Sequence, residues 1–70
     1  MSANYVQLLI KNRRKALKKS QTDLAKVLGI TRRTYQYYES GTGKISLDLL
    51  INICKALNMQ VLIIPSEGIL

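Results

Sequence analysis

The stretch Ser20-Gln21-Thr22-Asp23-Leu24-Ala25-Lys26-Val27-Leu28-Gly29-Ile30-Thr31, continuing into Arg32-Arg33-Thr34-Tyr35-Gln36-Tyr37-Tyr38-Glu39, decides the fold of this chain. Ser20 with Asp23 three residues on is a capping-box pattern that starts a helix. Leu24, Ala25 and Leu28 recur at helical spacing and make its inner face. Gly29 ends it, where the backbone must turn left-handed. Only Ile30 then separates Gly29 from Thr31, which caps a following helix over about Arg32 to Glu39. Two short helices joined by a tight glycine turn are a helix-turn-helix. Its geometry needs a small residue at Ala25, where the helices cross, and an apolar plug at Ile30. Tyr35 and Tyr38, three apart, face inward. Arg32, Arg33, Gln36 and Tyr37 are left on the outer arc, all long and all able to hydrogen-bond, as in a helix presented to the major groove of DNA.

Upstream, Asn4 to Gln7 reads as an N-cap with a polar partner three on. Val6, Leu9, Ile10 and Leu17 mark one face of a first helix running to about Lys18. Downstream, Ser40-Gly41-Thr42-Gly43 breaks the chain. Ser46 caps a fourth helix over about Leu47 to Leu57, with Asp48 favourable in its first turn. Asp48, Asn52 and Lys55 fill one narrow polar arc of that helix, and the rest is apolar. That stripe is wider than one core needs, so Leu49 and Ile53 are expected to be free to meet a second subunit.

After Asn58 the period changes. Met59-Gln60-Val61-Leu62-Ile63-Ile64 is rich in β-branched residues, ends at Pro65 and reads as a strand. It has no sheet to join within the chain, and an unpaired strand is an edge liability. A second copy would resolve this by pairing Val61, Leu62, Ile63 and Ile64 in a two-stranded intersubunit ribbon. The alternative is a frayed tail or one ordered by a partner; the strand could also fold back over the fourth helix of its own chain, and this is compatible with the dimer. The homodimer is favoured. The expected organisation is a mainly α, compact four-helix domain over residues 1–58, a dimerisation strand over 59–65 and a tail over 66–70.

Composition sets the function classes. Seventy residues make one small domain, which buries only roughly 60% of its unfolded surface. With no His and a single Cys at Cys54, neither a metal site nor an internal disulfide can support it; oligomerisation can. A lone Cys in an apolar run fits a buried thiol in a reducing compartment. No segment reaches the roughly 20 apolar residues of a membrane span. The first apolar stretch, Val6 to Ile10, precedes its basic residues rather than following them, unlike a signal peptide. The expectation is a cytoplasmic protein with no membrane partner. Net charge is +7, and nine of the eleven cations fall in the first 33 residues. Such a basic half attracts polyphosphate, although a solvated face would look the same. The absence of His, of a Gly-rich phosphate loop and of clustered carboxylates argues against an enzyme. Glu39 has no second carboxylate near it in sequence, so it is not read as an acid catalyst. No cofactor is expected.

The segment from Ser20 to Thr31, the ending Tyr38-Glu39-Ser40-Gly41, and Lys44-Ile45-Ser46 before a leucine-rich helix together resemble the phage-repressor or Xre-type helix-turn-helix family, with its lambda-repressor-like fold. The resemblance covers roughly residues 6 to 58. It implies a sequence-specific repressor of double-stranded DNA. It implies that Gln21 touches backbone phosphate, that Arg32, Arg33, Gln36 and Tyr37 occupy the groove-reading positions, and that Arg14 pairs with Glu39 as a structural tie between the first and third helices. The chain departs from the pattern at Arg13 and Lys19, where the family is commonly apolar, and at Tyr35, which is larger than the usual Ile or Val. Arg13 or Lys19 is therefore expected to be redirected to phosphate. The C-terminal segment from Asn58 to Ile64 resembles that of HipB-type antitoxins, which dimerise through such a strand, repress their own operon and bind a HipA-like kinase toxin. The other reading is a stand-alone phage or mobile-element regulator without a toxin partner.

Readout follows from donor geometry. Arg can donate two bonds to guanine O6 and N7, and Gln can pair with adenine N6 and N7. Arg33 and Gln36 are the expected base readers. Arg32 reads a base or holds a phosphate, and Tyr37 packs on a thymine methyl or bonds a phosphate. Gln21, Thr22, Thr31 and Lys44 are expected on the DNA backbone, Thr31 through its hydroxyl and the helix amides.

Overall fold

The computed structural model describes residues 3–66 and forms four helices, α1 (Ala3–Ala16), α2 (Gln21–Leu28), α3 (Arg32–Glu39) and α4 (Leu47–Ala56). The expected mainly α fold is what the chain adopts. Local chemistry sets the helix starts. Ser20 Oγ accepts from the Asp23 amide at 3.0 Å, and the Ser20 amide donates back to the Asp23 carboxylate at 2.9 Å. That bond from the Ser20 backbone holds the Asp23 carboxyl below its usual range. Thr31 and Ser46 cap α3 and α4 by accepting from the Thr34 and Leu49 amides, each at 3.1 Å. Asn4 does not cap α1, because the helix already begins at Ala3.

Three helices end alike. Lys18, Gly29 and Asn58 take left-handed backbones, with φ of 58°, 71° and 55°. In each case the next amide reaches back five residues to a carbonyl: Lys19 to Arg14 at 3.1 Å, Ile30 to Ala25 at 3.0 Å and Met59 to Cys54 at 2.8 Å. This closure satisfies carbonyls that the helix end would leave open. At Gly29 the positive φ is free of strain because no Cβ is present. At Lys18 the same turn carries a side chain, a cost of roughly 1–2 kcal/mol that the surrounding packing must hold.

The core is a cluster of Ile10, Leu24, Ala25, Tyr35, Ile53 and Leu57, ringed by half-buried residues that include Val6, Leu17, Ile30, Ile45 and Leu49. Helix α2 packs on both α3 and α4, and α1 packs on α3. Burying each large apolar side chain contributes about 1.5–3 kcal/mol. Two expectations are corrected. Ile53 is 1% exposed, because it points to the centre of its own domain, so it is not available to a second subunit; Leu49 is half-buried. Leu9 is exposed, and the buried places on α1 go instead to Gln7, Ile10 and Arg14. The inner face of α1 is thus partly polar, which an apolar periodicity cannot reveal.

No strand forms among the described residues, and 59–66 run without regular structure. A strand exists only as part of a hydrogen-bonded ladder, and one chain offers this segment no partner. Leu62, Ile63 and Ile64 stand in solvent. Of the tail expected over 66–70, all but Ser66 lies outside the described residues.

Candidate nucleic-acid interface

Helix α3 has two sides with different polar chemistry. Its inner side carries Tyr35 and Glu39, both buried. Arg14 reaches them from α1. Its Nε donates to Glu39 Oε2 at 2.8 Å and its Nη2 to Glu39 Oε1 at 2.9 Å, a two-pronged ion pair. A third arm, Nη1, donates to the Lys19 carbonyl at 2.8 Å. Tyr35 Oη donates to Glu39 Oε2 at 2.6 Å, and Gln21 Nε2 donates to Glu39 Oε1 at 3.2 Å. Four donors therefore converge on one buried carboxylate, as a buried charge demands. Burial alone would raise the Glu39 carboxyl, but the hydrogen bonds from Arg14, Tyr35 and Gln21 hold it below its ordinary value. Burial, and then the bond to Glu39, push the Tyr35 hydroxyl well above its usual range. Its bonds to Glu39 raise the Arg14 guanidinium further and keep it protonated.

The outer side carries Arg32, Arg33, Gln36 and Tyr37, all exposed. At about 100° per residue these four span an arc of about 140°. Among the described residues the one ion pair is Arg14 to Glu39, so Arg32 and Arg33 face outward with no carboxylate from another described residue on them. An α-helix of this width fits the major groove, and its outer donors match base-edge acceptors.

The expected backbone contacts divide. Thr22 and Lys44 are exposed. Gln21 is half-buried and spends one amide proton on Glu39, which leaves the second proton for an outside acceptor. The Thr31 hydroxyl is occupied: it accepts from the Thr34 amide and donates to Thr34 Oγ1 at 2.9 Å. Any anion at the start of α3 would meet the Arg32 and Arg33 amides rather than that hydroxyl.

Arg13 is a correction. Its Nε donates to the Leu57 carbonyl at 3.0 Å, just past the end of α4, so it ties α1 to α4 instead of turning to phosphate. The spacing holds the signal, since Arg13 lies three residues from Ile10 and four from Leu17 on the inner quadrant of α1. Gln7 also escaped the sequence reading; it is buried, and its Oε1 has no hydrogen-bond partner among the described residues. Burial raises the Cys54 thiol and keeps it protonated. No described helix is long and apolar enough to cross a membrane.

Comparison with known proteins agrees with this geometry. A family model described as "Helix-turn-helix" matches residues 10–63. The cryptic phage CTXphi transcriptional repressor RstR of Vibrio cholerae is 38% identical over 50 residues, which cover 71% of this chain and 45% of that protein. The antitoxin PezA of Streptococcus pneumoniae is 34% identical over 58 residues, 83% of this chain and 37% of that protein. Among solved structures, apo-HppE superposes with a TM-score of 0.77 at 30% identity, covering 86% of this chain and 34% of that one. The chain spans less than half the length of each of these proteins.

Proposed function

The chain belongs to the helix-turn-helix family, and we propose on that premise that it is a sequence-specific transcriptional repressor of double-stranded DNA. The observation that carries this reading is the division of α3: the inner polar groups are consumed by one another, while Arg32, Arg33, Gln36 and Tyr37 stand exposed together on the opposite side. Arg33 and Gln36 read base edges. Arg32, Thr22, Lys44 and the free proton of Gln21 hold phosphates.

The working unit in this reading is a homodimer. Leu62, Ile63 and Ile64 are consecutive, apolar and at least 74% exposed, which is the kind of edge that invites pairing. Val61 to Ile64 would form the ribbon, with Leu49 as a flanking contact. Partner choice follows two lines. Similarity to PezA favours an antitoxin that represses its own operon and binds a toxin, of which a HipA-like kinase is one form. Similarity to the CTXphi repressor RstR favours a phage or mobile-element regulator with no toxin partner.

Selection of bound sequences from random duplex DNA tests the central reading. A near-palindrome with half-sites about one helical turn apart is the expected product, with affinity falling steeply as salt rises. Recovery of no sequence preference overturns it. Sedimentation of the chain lacking residues 59 to 70 tests the ribbon: monomers are expected, and persistent dimers place the contact elsewhere.

A further inference from the structure

The loop between α3 and α4 contains a glycine whose presence the backbone does not explain. Gly29 and Gly41 have positive φ, but Gly43 does not, so its backbone suits any L-residue. What a side chain there would displace is a neighbour. A Cβ on Gly43 would stand 3.0 Å from Cζ and 2.5 Å from Cδ2 of the Tyr37 ring, and closer still to Cε2. Gly43 is buried, and its amide donates to the Tyr37 carbonyl at 3.1 Å. Ser40 Oγ donates to the same carbonyl at 3.0 Å. The Tyr37 ring also meets the Tyr38 ring edge to face, with centroids 5.6 Å apart and planes at 65°. The ring is therefore in contact with both a glycine and a second ring, while Tyr37 as a whole is half exposed. Tyr37 lies one turn from Arg33 on α3, and the Gly43 it contacts stands in the loop between exposed Thr42 and Lys44.

We propose that Gly43 is a positioning residue for DNA recognition: by leaving room for Tyr37, it holds that ring in one orientation at the border between the base-reading arc and the phosphate-facing loop. This rests on the DNA-binding reading above. A ring ordered before binding loses less rotamer freedom when it meets the duplex. The methyl group that Gly43→Ala adds to this seat pushes the ring outward. Because Tyr37 is half exposed and its ring sits at the end of a rotatable side chain, the ring can swing into solvent without breaking the core.

The test is a double-mutant cycle on the full chain against a duplex recovered by random selection. Tyr37→Ala and Gly43→Ala are each expected to weaken specific binding by about tenfold, the effect of one good contact, and the double variant is expected to bind no worse than Tyr37→Ala. Independent, multiplying losses overturn the proposal, as does undiminished binding by Gly43→Ala. If Gly43→Ala alone unfolds, the double variant must refold, since Tyr37→Ala vacates the space the ring filled; failure to do so also overturns it. Proton chemical shifts of Gly43 in the free protein give a reading without DNA: they should move in Tyr37→Ala as the ring current is lost, and unmoved shifts overturn the seat. If the wild-type chain selects no duplex, the DNA-binding reading itself falls and this inference with it. Selective binding with independent losses removes the inference alone.

Discussion

Arg14 and Arg33 are the same residue type on neighbouring helices, and the fold puts them to opposite uses. Arg14 is buried against Glu39 with three of its arms bonded inside the protein. Arg33 is exposed on the far side of α3. One guanidinium is part of the scaffold and the other is available to a ligand. The difference lies in desolvation. A buried charge must have all its partners supplied by the fold, whereas an exposed one is solvated by water until a phosphate or a base replaces that water. The inner face of α3 should therefore be costly to alter for stability and the outer face for binding.

The largest effect should come from Glu39→Ala, which leaves Arg14 buried without its counter-charge; a loss of about 3–5 kcal/mol in denaturant unfolding is expected. A loss as small as that of a surface pair would erase the contrast between the two arginines. The same carboxylate sets an acid limit. Its folded pKa is depressed, so its stabilisation is present above the unfolded value, near 4.5, and is lost as pH falls through the folded value. Melting midpoints should therefore drop on acidification below that point, and Glu39→Gln should flatten the drop. An acid response unchanged in Glu39→Gln would assign it to another group.

Tyr35→Phe removes one charge-assisted donor to Glu39 while keeping the ring in the core. About 1.5–3 kcal/mol of stability should go with it, measured by the same unfolding curves. Arg33→Ala belongs to the outer face and should behave in the reverse way. Its unfolding free energy should stay within about 0.5 kcal/mol of wild type, while specific DNA binding weakens by about 1–3 kcal/mol and non-specific binding changes less. Equal losses on specific and random duplex would move Arg33 from base to phosphate and narrow the reading arc to Gln36 and its neighbours.

Local signals account well for the centre of the chain. Ser20, Asp23, Gly29 and Thr31 act through hydrogen bonds to their own neighbours, so the bounds of α2 and α3 could be read from the residues alone. The pairing of Arg14 with Glu39 was legible only through family resemblance, since the partners lie 25 positions apart and nothing local links them. The burial of Gln7, the bond from Arg13 to the Leu57 carbonyl and the inward aim of Ile53 were not legible. Each depends on where a different helix comes to rest.

By itself, the sequence determined the order of the four helices, three of their caps, the turn at Gly29 and the polar arc left outside α3. These follow from interactions within a few residues, where backbone geometry permits few outcomes. Tertiary structure alone decided which apolar residues of α4 are used up inside the domain and which arginine joins the scaffold. Such choices turn on the volume and solvation of a particular place in space, and that place is built by segments far apart in the chain.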